Sequence, residues 1–218
     1  MAIYTTQIET SHQYLVIKSR NQEKLNLLDL DSNTIIHIAE QAELGLNIGA
    51  GAYSHNLHII LTKGAKLKIL EQENWSGTIN WTIDLIEPYS EIEYITRLEV
   101  KNKSKNTIKV NHQASYTISK INSRYCIISQ NKLIQHTMID IPKTIKHCQA
   151  IQSAEILLLT DRPQIQIIPE LRVSTDNSNA SHGVSIQPIR ETDIFYLMAR
   201  GISQIKAIKI LKKGFLEG

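Results

Sequence analysis

Glycine, proline, cysteine and the largest aromatic residues are all scarce in this sequence of 218 residues. It contains 9 Gly, 5 Pro, 2 Cys, 2 Phe and 2 Trp. Two cysteines cannot build a disulfide scaffold, and they cannot supply all the thiolates of a self-contained iron–sulfur cluster. The low glycine and proline content excludes collagen-like and low-complexity chains. We therefore expect a globular protein whose two thiols are free.

Long apolar runs and a strong net charge are absent as well. No apolar stretch approaches the roughly 20 residues that a membrane helix needs, and Met1–Thr6 lacks the basic and apolar regions of a signal peptide. The formal net charge is +3, which does not indicate a nucleic-acid partner. We expect a cytoplasmic protein that binds neither membranes nor nucleic acid.

Isoleucine dominates the apolar content, with 36 Ile against 21 Leu. Its β-branched side chain is restricted at χ1 and fits a pleated sheet better than a helix. Apolar and polar residues alternate over Ile79–Leu85, Ile92–Val100 and Thr107–Ile118, which predicts strands. Such segments recur about every ten residues, yet the sequence has no Asn-Gly or Asp-Gly pair of the kind that tight hairpins favour. The pattern therefore favours a parallel β-solenoid, while a sandwich or a barrel remains open.

The period of the apolar residues changes near the C-terminus. From Thr192 they follow helical spacing as far as Gly201, which is suited to end a helix. A second helix is predicted from Ser203, a good N-cap residue, to Gly214. We therefore divide the chain into a β core, residues 1–190, and a C-terminal helical segment, residues 191–218.

Acidic pairs and buried histidines raise the question of catalysis. The candidate carboxylate pairs are Glu71 with Glu73 and Glu91 with Glu93. A β-solenoid that cleaves polysaccharide needs a carboxylate pair in a cleft, but we interpret both pairs as solvated side chains. His112 lies on the apolar face of a predicted strand, where a hydrogen-bonded core role is expected. A carbohydrate-active solenoid is kept as an alternative, and the residues favour a protein without enzymatic activity.

Four short motifs occur in one order between residues 153 and 215. They are LLL (Leu157–Leu159), PEL (Pro169–Leu171), SHG (Ser181–Gly183) and IFYLMARGI (Ile194–Ile202). Together they resemble the conserved C-terminal core of the SufB/SufD family, the scaffold proteins of the SUF iron–sulfur cluster assembly machinery. The resemblance implies a right-handed parallel β-helix with a short two-helix C-terminal segment. Because such chains usually carry an N-terminal helical region, this sequence resembles one shortened to the β-helix core and the C-terminal helices.

Two positions distinguish the branches of this family. SufB-type chains follow the motif histidine with glutamate, whereas Gly183 follows His182 here. They also carry a cysteine used in cluster assembly at a position that corresponds to Ala154, 28 residues before His182. The sequence therefore resembles SufD, in which this histidine faces SufB across a heterodimer interface. The resemblance implies that His182 takes part in cluster assembly there and binds iron jointly with the partner.

The resemblance also implies two protein partners, a SufB-like subunit and the SufC ATPase. The helical segment would dock SufC through Phe195, Tyr196 and Arg200. Alternatively, the helices seal the open end of the solenoid. No cofactor is expected to be held stably by this chain alone, since an iron–sulfur cluster would be bound transiently at the partner interface. A homodimer in which two His182 side chains meet is the alternative assembly.

Overall fold

The chain forms two β-sheets followed by two helices. This computed structural model describes residues 7–9, 12–18, 23–128, 130 and 132–218. The expectation of no signal peptide rests on Met1–Thr6, which lies outside the described residues. A short 3-10 helix spans Leu27–Asp29, α1 spans Glu191–Met198 and α2 spans Gln204–Glu217. Neither α1 nor α2 is long and apolar enough to cross a bilayer. The strands are β1 (Gln7–Glu9), β2 (His12–Ile17), β3 (Glu23–Asn26), β4 (Asn33–Ile38), β5 (Glu43–Ile48), β6 (Gly51–Leu61), β7 (Lys66–Glu71), β8 (Trp75–Leu85), β9 (Glu91–Val100), β10 (Ser104–His112), β11 (Ile118–Ile127), β12 (Lys132–Ile141), β13 (Gln149–Leu158), β14 (Gln164–Val173) and β15 (Asn179–Pro188).

Successive strands alternate between the two sheets. One sheet has the order β1-β2-β4-β6-β8-β10-β12-β14, and the other has the order β15-β13-β11-β9-β7-β5-β3. The β1–β2 pair is antiparallel, and the other pairs between described strands are parallel. From β2 onwards, each coil of the chain therefore adds one strand to each sheet. This confirms the predicted parallel β-solenoid, which has about 6 turns.

The isoleucine excess is explained by ladders of side chains that stack inside the solenoid. Equivalent inward positions of neighbouring coils lie in register, so one apolar residue packs on the next. Most members of one such ladder are completely buried. This ladder consists of Ile36, Ile59, Ile83, Val110, Ile139 and Leu171.

The predicted single strand over Thr107–Ile118 is wrong. β10 ends at His112, the chain turns through residues 113–117, and β11 begins at Ile118. Within this turn Tyr116 adopts a left-handed φ of 61°, and its amide donates a hydrogen bond to the Lys146 carbonyl of the next coil at 3.2 Å. The apolar alternation continues through the corner by chance, so period alone could not reveal the turn.

The same corner carries a stack of exposed aromatic rings. Tyr89, Tyr116 and His147 occupy equivalent positions of three successive coils, each with a positive φ. Their ring centroids are 5.7 Å and 5.0 Å apart. The stack follows from the coil repeat, because identical corner geometry places one ring above the next.

One predicted solvated carboxylate is in fact buried. Glu71 is only 1% exposed, and its carboxylate accepts hydrogen bonds from Trp75 Nε1 at 2.6 Å and Thr96 Oγ1 at 2.8 Å. Burial raises the pKa of Glu71, and these hydrogen bonds oppose that rise. The solvated interpretation is therefore wrong for Glu71, whose donors come from the first residue of β8 and from β9 of the next coil.

The second acidic pair is solvated, as predicted. Glu91 Oε1 lies 3.5 Å from Lys120 Nζ, and Glu93 Oε2 lies 2.8 Å from Lys68 Nζ. These are partly exposed ion pairs between neighbouring coils, which contribute little to stability. Because Glu71 faces the core and Glu91 pairs with a lysine, neither predicted pair supports the carbohydrate-active alternative.

His112 is the hydrogen-bonded core histidine that the sequence predicts. Its side chain is fully buried, with Nδ1 2.6 Å from Thr117 Oγ1 and Nε2 2.9 Å from Ser119 Oγ. Each ring nitrogen therefore has a hydroxyl partner. Burial lowers the pKa of His112 from 6.5 to about 4, because the charged imidazolium is poorly solvated in the core.

We expect His112 to make the fold sensitive to acid. Its folded pKa is depressed, so the unfolded chain binds more protons between pH 6.5 and about 4, and stability is lost as the pH falls through this window. At about pH 5 the expected loss from this residue is about 2 kcal/mol in the free energy of unfolding. His112→Gln keeps hydrogen-bonding groups but does not titrate, so urea denaturation should show a smaller acid loss in this variant. An equal acid loss in both proteins would contradict the assignment.

Candidate functional site

The solenoid ends in two edge strands, β14 and β15. Within the described residues, β14 pairs only with β12 and β15 only with β13. An edge strand presents unpaired backbone N–H and C=O groups, which can accept a strand from another chain. The side chains Val184 and Ile186 of β15 are 41% and 54% exposed. This end is therefore an uncovered surface that can bind another chain through backbone hydrogen bonds and through apolar contacts.

The exposed apolar residues of β15 belong to the interior face of the solenoid. In β13 this face is buried, whereas in β15 no further coil of the described chain covers it. His182, Val184 and Ile186 are therefore core-type positions left open to an incoming surface. The register pairs are Gln152 with His182, Ala154 with Val184, and Ile156 with Ile186.

His182 lies at the centre of this open face. It occupies the middle of β15 and is exposed. Gly183 follows it, and nothing lies within 4 Å of the position that a Cβ would take there. Ala154 occupies the position at which, as the resemblance implies, SufB-type chains carry a cysteine. It is buried on the same face, and its register partner Val184 lies two residues after His182. The structure thus places Ala154 and His182 on the same interior face of neighbouring strands.

No ready-made metal site is present in the described part of the chain. No group of three or more His, Cys, Asp or Glu side chains there is arranged to hold a metal ion. His182 alone offers one nitrogen ligand, which is too few for stable iron binding. Iron binding at His182 would therefore need ligands from another chain.

The helical segment packs beside the solenoid rather than over its end. α2 contacts β9 and β11 of the second sheet, and Lys212 Nζ binds Glu99 Oε2 at 2.8 Å. Val184 and Ile186 remain exposed. The alternative that the helices seal the open end is therefore wrong for the described residues.

Two of the three predicted docking residues on the helical segment contact each other. The Arg200 guanidinium lies 4.4 Å from the centre of the Tyr196 ring, a cation–π contact at an exposed position. Phe195 is 62% exposed, and together with Leu158 and Met198 it lines a cavity of about 420 Å³. The helical segment therefore presents an apolar surface next to a cationic group.

Comparison with protein families and with curated proteins bears directly on this arrangement. A family model described as "SUF system FeS cluster assembly, SufBD core domain" matches residues 80–215. The chain belongs to the SufBD family. The matched residues include the later coils of the solenoid, the open end and both helices.

Three relatives, each named as an iron-sulfur cluster assembly SufBD family protein, illustrate the range of similarity. The protein from Pyrococcus horikoshii is 40% identical over 65 residues, covering 30% of this chain and 15% of the relative. The Archaeoglobus fulgidus protein is 37% identical over 103 residues, covering 44% and 27%. The Staphylococcus aureus USA300 protein is 21% identical over 238 aligned positions, covering 94% and 51%. This SufBD chain therefore spans about half or less of the length of these relatives.

One thiol of this SufBD protein is hidden beneath α2. Cys126 lies on β11 in register with Glu99 and is fully buried. Burial raises its pKa to about 12, helped by the negative charge of Glu99 and opposed by Lys212. A thiol with such a pKa is a poor nucleophile and a poor metal ligand at neutral pH.

We expect Cys126 to react with thiol reagents only when α2 moves away. Lys212→Ala removes the ion pair with Glu99 and should increase the labelling rate of Cys126 by a maleimide, followed by peptide mass spectrometry. Lys213→Ala is the matched control, because the ion pair recorded for Lys213 among the described residues is with Glu217 on α2 itself, at 3.8 Å. Faster labelling in the Lys213 variant than in the Lys212 variant would contradict this role of the Glu99 contact.

The sequence analysis proposed His182 as a site residue but did not identify the exposed apolar residues around it. The alternation Ala180, His182, Val184, Ile186 was visible in the sequence and could have indicated an interior face. It gave no sign that the face is uncovered, because coverage depends on which coil comes last. Gln152, the register partner of His182, was also missed, since it is separated from His182 by a whole coil.

Proposed function

We propose that this chain is a SufD-like, non-enzymatic scaffold subunit that assembles iron–sulfur clusters together with a SufB-like partner. The observation that carries the proposal is the open solenoid end with His182 at its centre. A SufB-like chain that ends in the same kind of coil can pair its edge strands with β14 and β15 and cover Val184 and Ile186. The two interior faces then become one continuous core.

The chemistry proposed for this interface is divided between the partners. This chain offers the imidazole of His182, whose neutral form binds iron through one ring nitrogen. It offers no thiol at the same place, since Ala154 occupies the position corresponding to the SufB-type cysteine. A thiolate from the SufB-like partner would supply the sulfur ligand, and an iron–sulfur cluster would be held transiently as cargo between the chains.

A second partner, a SufC-like ATPase, is proposed for the helical segment. Phe195, Tyr196 and Ile205 are exposed on α1 and α2, although apolar side chains on a helix are normally buried against another element. Arg200 lies beside Tyr196 and can bind an acidic side chain of the ATPase. Because α2 packs on β9 and β11 rather than on β14 and β15, both partners can bind at the same time.

A homodimer is the alternative assembly, and one observation favours it. The edges of β14 and β15 are uncovered in this chain, so a second copy meets the same need for strand pairing and apolar burial across a twofold axis. Such a homodimer would place two His182 side chains at the interface without a thiol of the SufB type.

Co-expression with SufB-like and SufC-like chains, followed by size-exclusion chromatography with light scattering, tests the proposal. A stable complex that contains all three chains is the expected result. A chain that elutes alone under all conditions would disprove the scaffold role. A species of twice the chain mass, unchanged when the partners are present, would support the homodimer instead.

A further inference from the structure

The last covered coil of the solenoid contains a buried acceptor that lacks a hydrogen bond. Gln152 on β13 is 5% exposed, and its side-chain oxygen Oε1 is buried with no hydrogen-bond partner. A buried carbonyl oxygen without a partner destabilises the fold, because it has lost its hydrogen bond to water and gained none in return. Such groups are uncommon in folded proteins and call for an explanation. Gln152 therefore needs a donor.

Another buried glutamine of the core does have its partners. Gln135 accepts a hydrogen bond from Tyr125 OH at 2.6 Å and donates to Ser123 Oγ and Thr137 Oγ1, both at 3.2 Å. This core thus pairs a buried amide with neighbouring side chains. The other unpaired buried side-chain atoms of the described residues lie on β6 and β11, whereas Gln152 lies on β13, the strand that pairs with β15 at the open end.

The register identifies the donor that can reach Gln152. The neighbouring inward positions on β13 are Ala150 and Ala154, which have no polar side-chain atoms. The register partner of Gln152 on β15 is His182, and adjacent strands lie about 4.8 Å apart. His182 is exposed, so its side chain can change rotamer within nanoseconds. An imidazole N–H of His182 can therefore reach Gln152 Oε1 by side-chain rotation alone.

A glutamine oxygen fixes the tautomer of a histidine that contacts it. In a neutral imidazole one ring nitrogen donates a hydrogen bond and the other carries a free lone pair. The oxygen of Gln152 only accepts, so it selects the nitrogen that bears the proton. Histidines that bind metals usually donate their second ring N–H to such an acceptor, which fixes the ring orientation and makes the ligand nitrogen more basic.

We propose that Gln152 is the positioning residue of His182, accepting one imidazole N–H and directing the lone pair of the other nitrogen out of the open solenoid end. The assigned hydrogen bond forms in the chain by itself. Its purpose in cluster assembly rests on the function proposed above. Gln152 itself contacts neither the partner nor the iron.

The tautomer of His182 tests the hydrogen bond without any partner. Gln152→Met removes the acceptor at nearly constant volume, and Gln149→Met makes the same change on the opposite face of β13. The ring nitrogen signals of ¹⁵N-histidine-labelled chain are assigned by comparison with His182→Gln. We expect His182 to show one dominant tautomer in the wild type and in Gln149→Met, and a clearly mixed population in Gln152→Met. The same tautomer ratio in Gln152→Met and wild type would overturn the proposal.

A second measurement tests the purpose of the hydrogen bond. In a complex with a SufB-like chain, Gln152→Met should reduce iron–sulfur cluster yield about tenfold, the lower end of the effects seen for partners of metal-binding histidines. Its thermal stability should stay close to that of the wild type, because the exposed N–H of His182 can donate to water once the glutamine acceptor is replaced by an apolar side chain of similar volume. A mixed tautomer with an unchanged cluster yield would overturn the link to cluster assembly. Failure to form a complex would instead count against the function proposed above, because the tautomer is measured in the chain alone.

Discussion

His182→Ala is expected to leave the fold intact and to abolish most iron–sulfur cluster formation in the complex. The side chain of His182 is exposed, so its removal should change the free energy of unfolding by only about 0.5 kcal/mol. Under the proposed function, its imidazole is the nitrogen ligand that this chain offers at the open end. Iron and acid-labile sulfide, together with the visible absorbance of the purified complex, measure the loss.

A second histidine on the solenoid provides the control for this experiment. His37 lies on β4, near the other end of the solenoid, and does not belong to the open face. His37→Ala should therefore give a complex with the cluster content of the wild type. Equal cluster content in the His182 and His37 variants would mean that His182 is an ordinary interface residue with no part in cluster formation.

The strands could be predicted from the sequence because they depend on local periodicity. Ile92–Val100 was expected as a strand, and β9 spans Glu91–Val100. The period fails at the corners, where strand ends depend on left-handed residues such as Tyr116 and His147. These are not glycines, so the sequence gives no direct sign of their conformation.

Contacts between residues of neighbouring coils could not be predicted from the sequence. Glu71 was expected in solvent because its own strand alternates normally, but its partner Thr96 lies 25 residues away. Because one coil separates them, Glu71 and Thr96 lie in register on the neighbouring strands β7 and β9. The same repeat joins Gln152 to His182, 30 residues apart and in register. In a solenoid, the chemical neighbours of a residue are found about one coil away, and the coil length varies along this chain.

The uncovered end also explains why the proposed site would depend on a partner. An internal coil has its interior face buried by the coils before and after it, as for Ala150 and Ile156 of β13. Among the strands that the structure describes, β15 has one neighbouring coil, so Val184 and Ile186 retain much of their exposure. Covering such apolar residues is favourable by about 25 cal/mol for each Å² removed from water. In the proposed complex, pairing with the partner and formation of the site are therefore the same event at this end of the solenoid.

Val184→Asp is expected to prevent pairing with the SufB-like chain while leaving the free subunit folded. Val184 is 41% exposed in the subunit, so the new carboxylate can remain hydrated there. Pairing would bury it without a counterion, at a cost of about 3 kcal/mol or more, which corresponds to an affinity about 100-fold weaker. Light scattering of the mixed chains and titration calorimetry measure the loss.

The same substitution on α2 separates the two proposed interfaces. Ile205 is 84% exposed on the helical segment, away from β14 and β15. Ile205→Asp should weaken binding of the SufC-like ATPase and leave pairing with the SufB-like chain unchanged, whereas Val184→Asp should do the reverse. If both variants lost the same partner, or if Val184→Asp paired like the wild type, the open end would not be the SufB-like interface. Both substitutions replace an exposed branched aliphatic side chain by aspartate, so the two variants differ mainly in the place of the new charge. If each variant loses a different partner, the two partners must bind to separate surfaces.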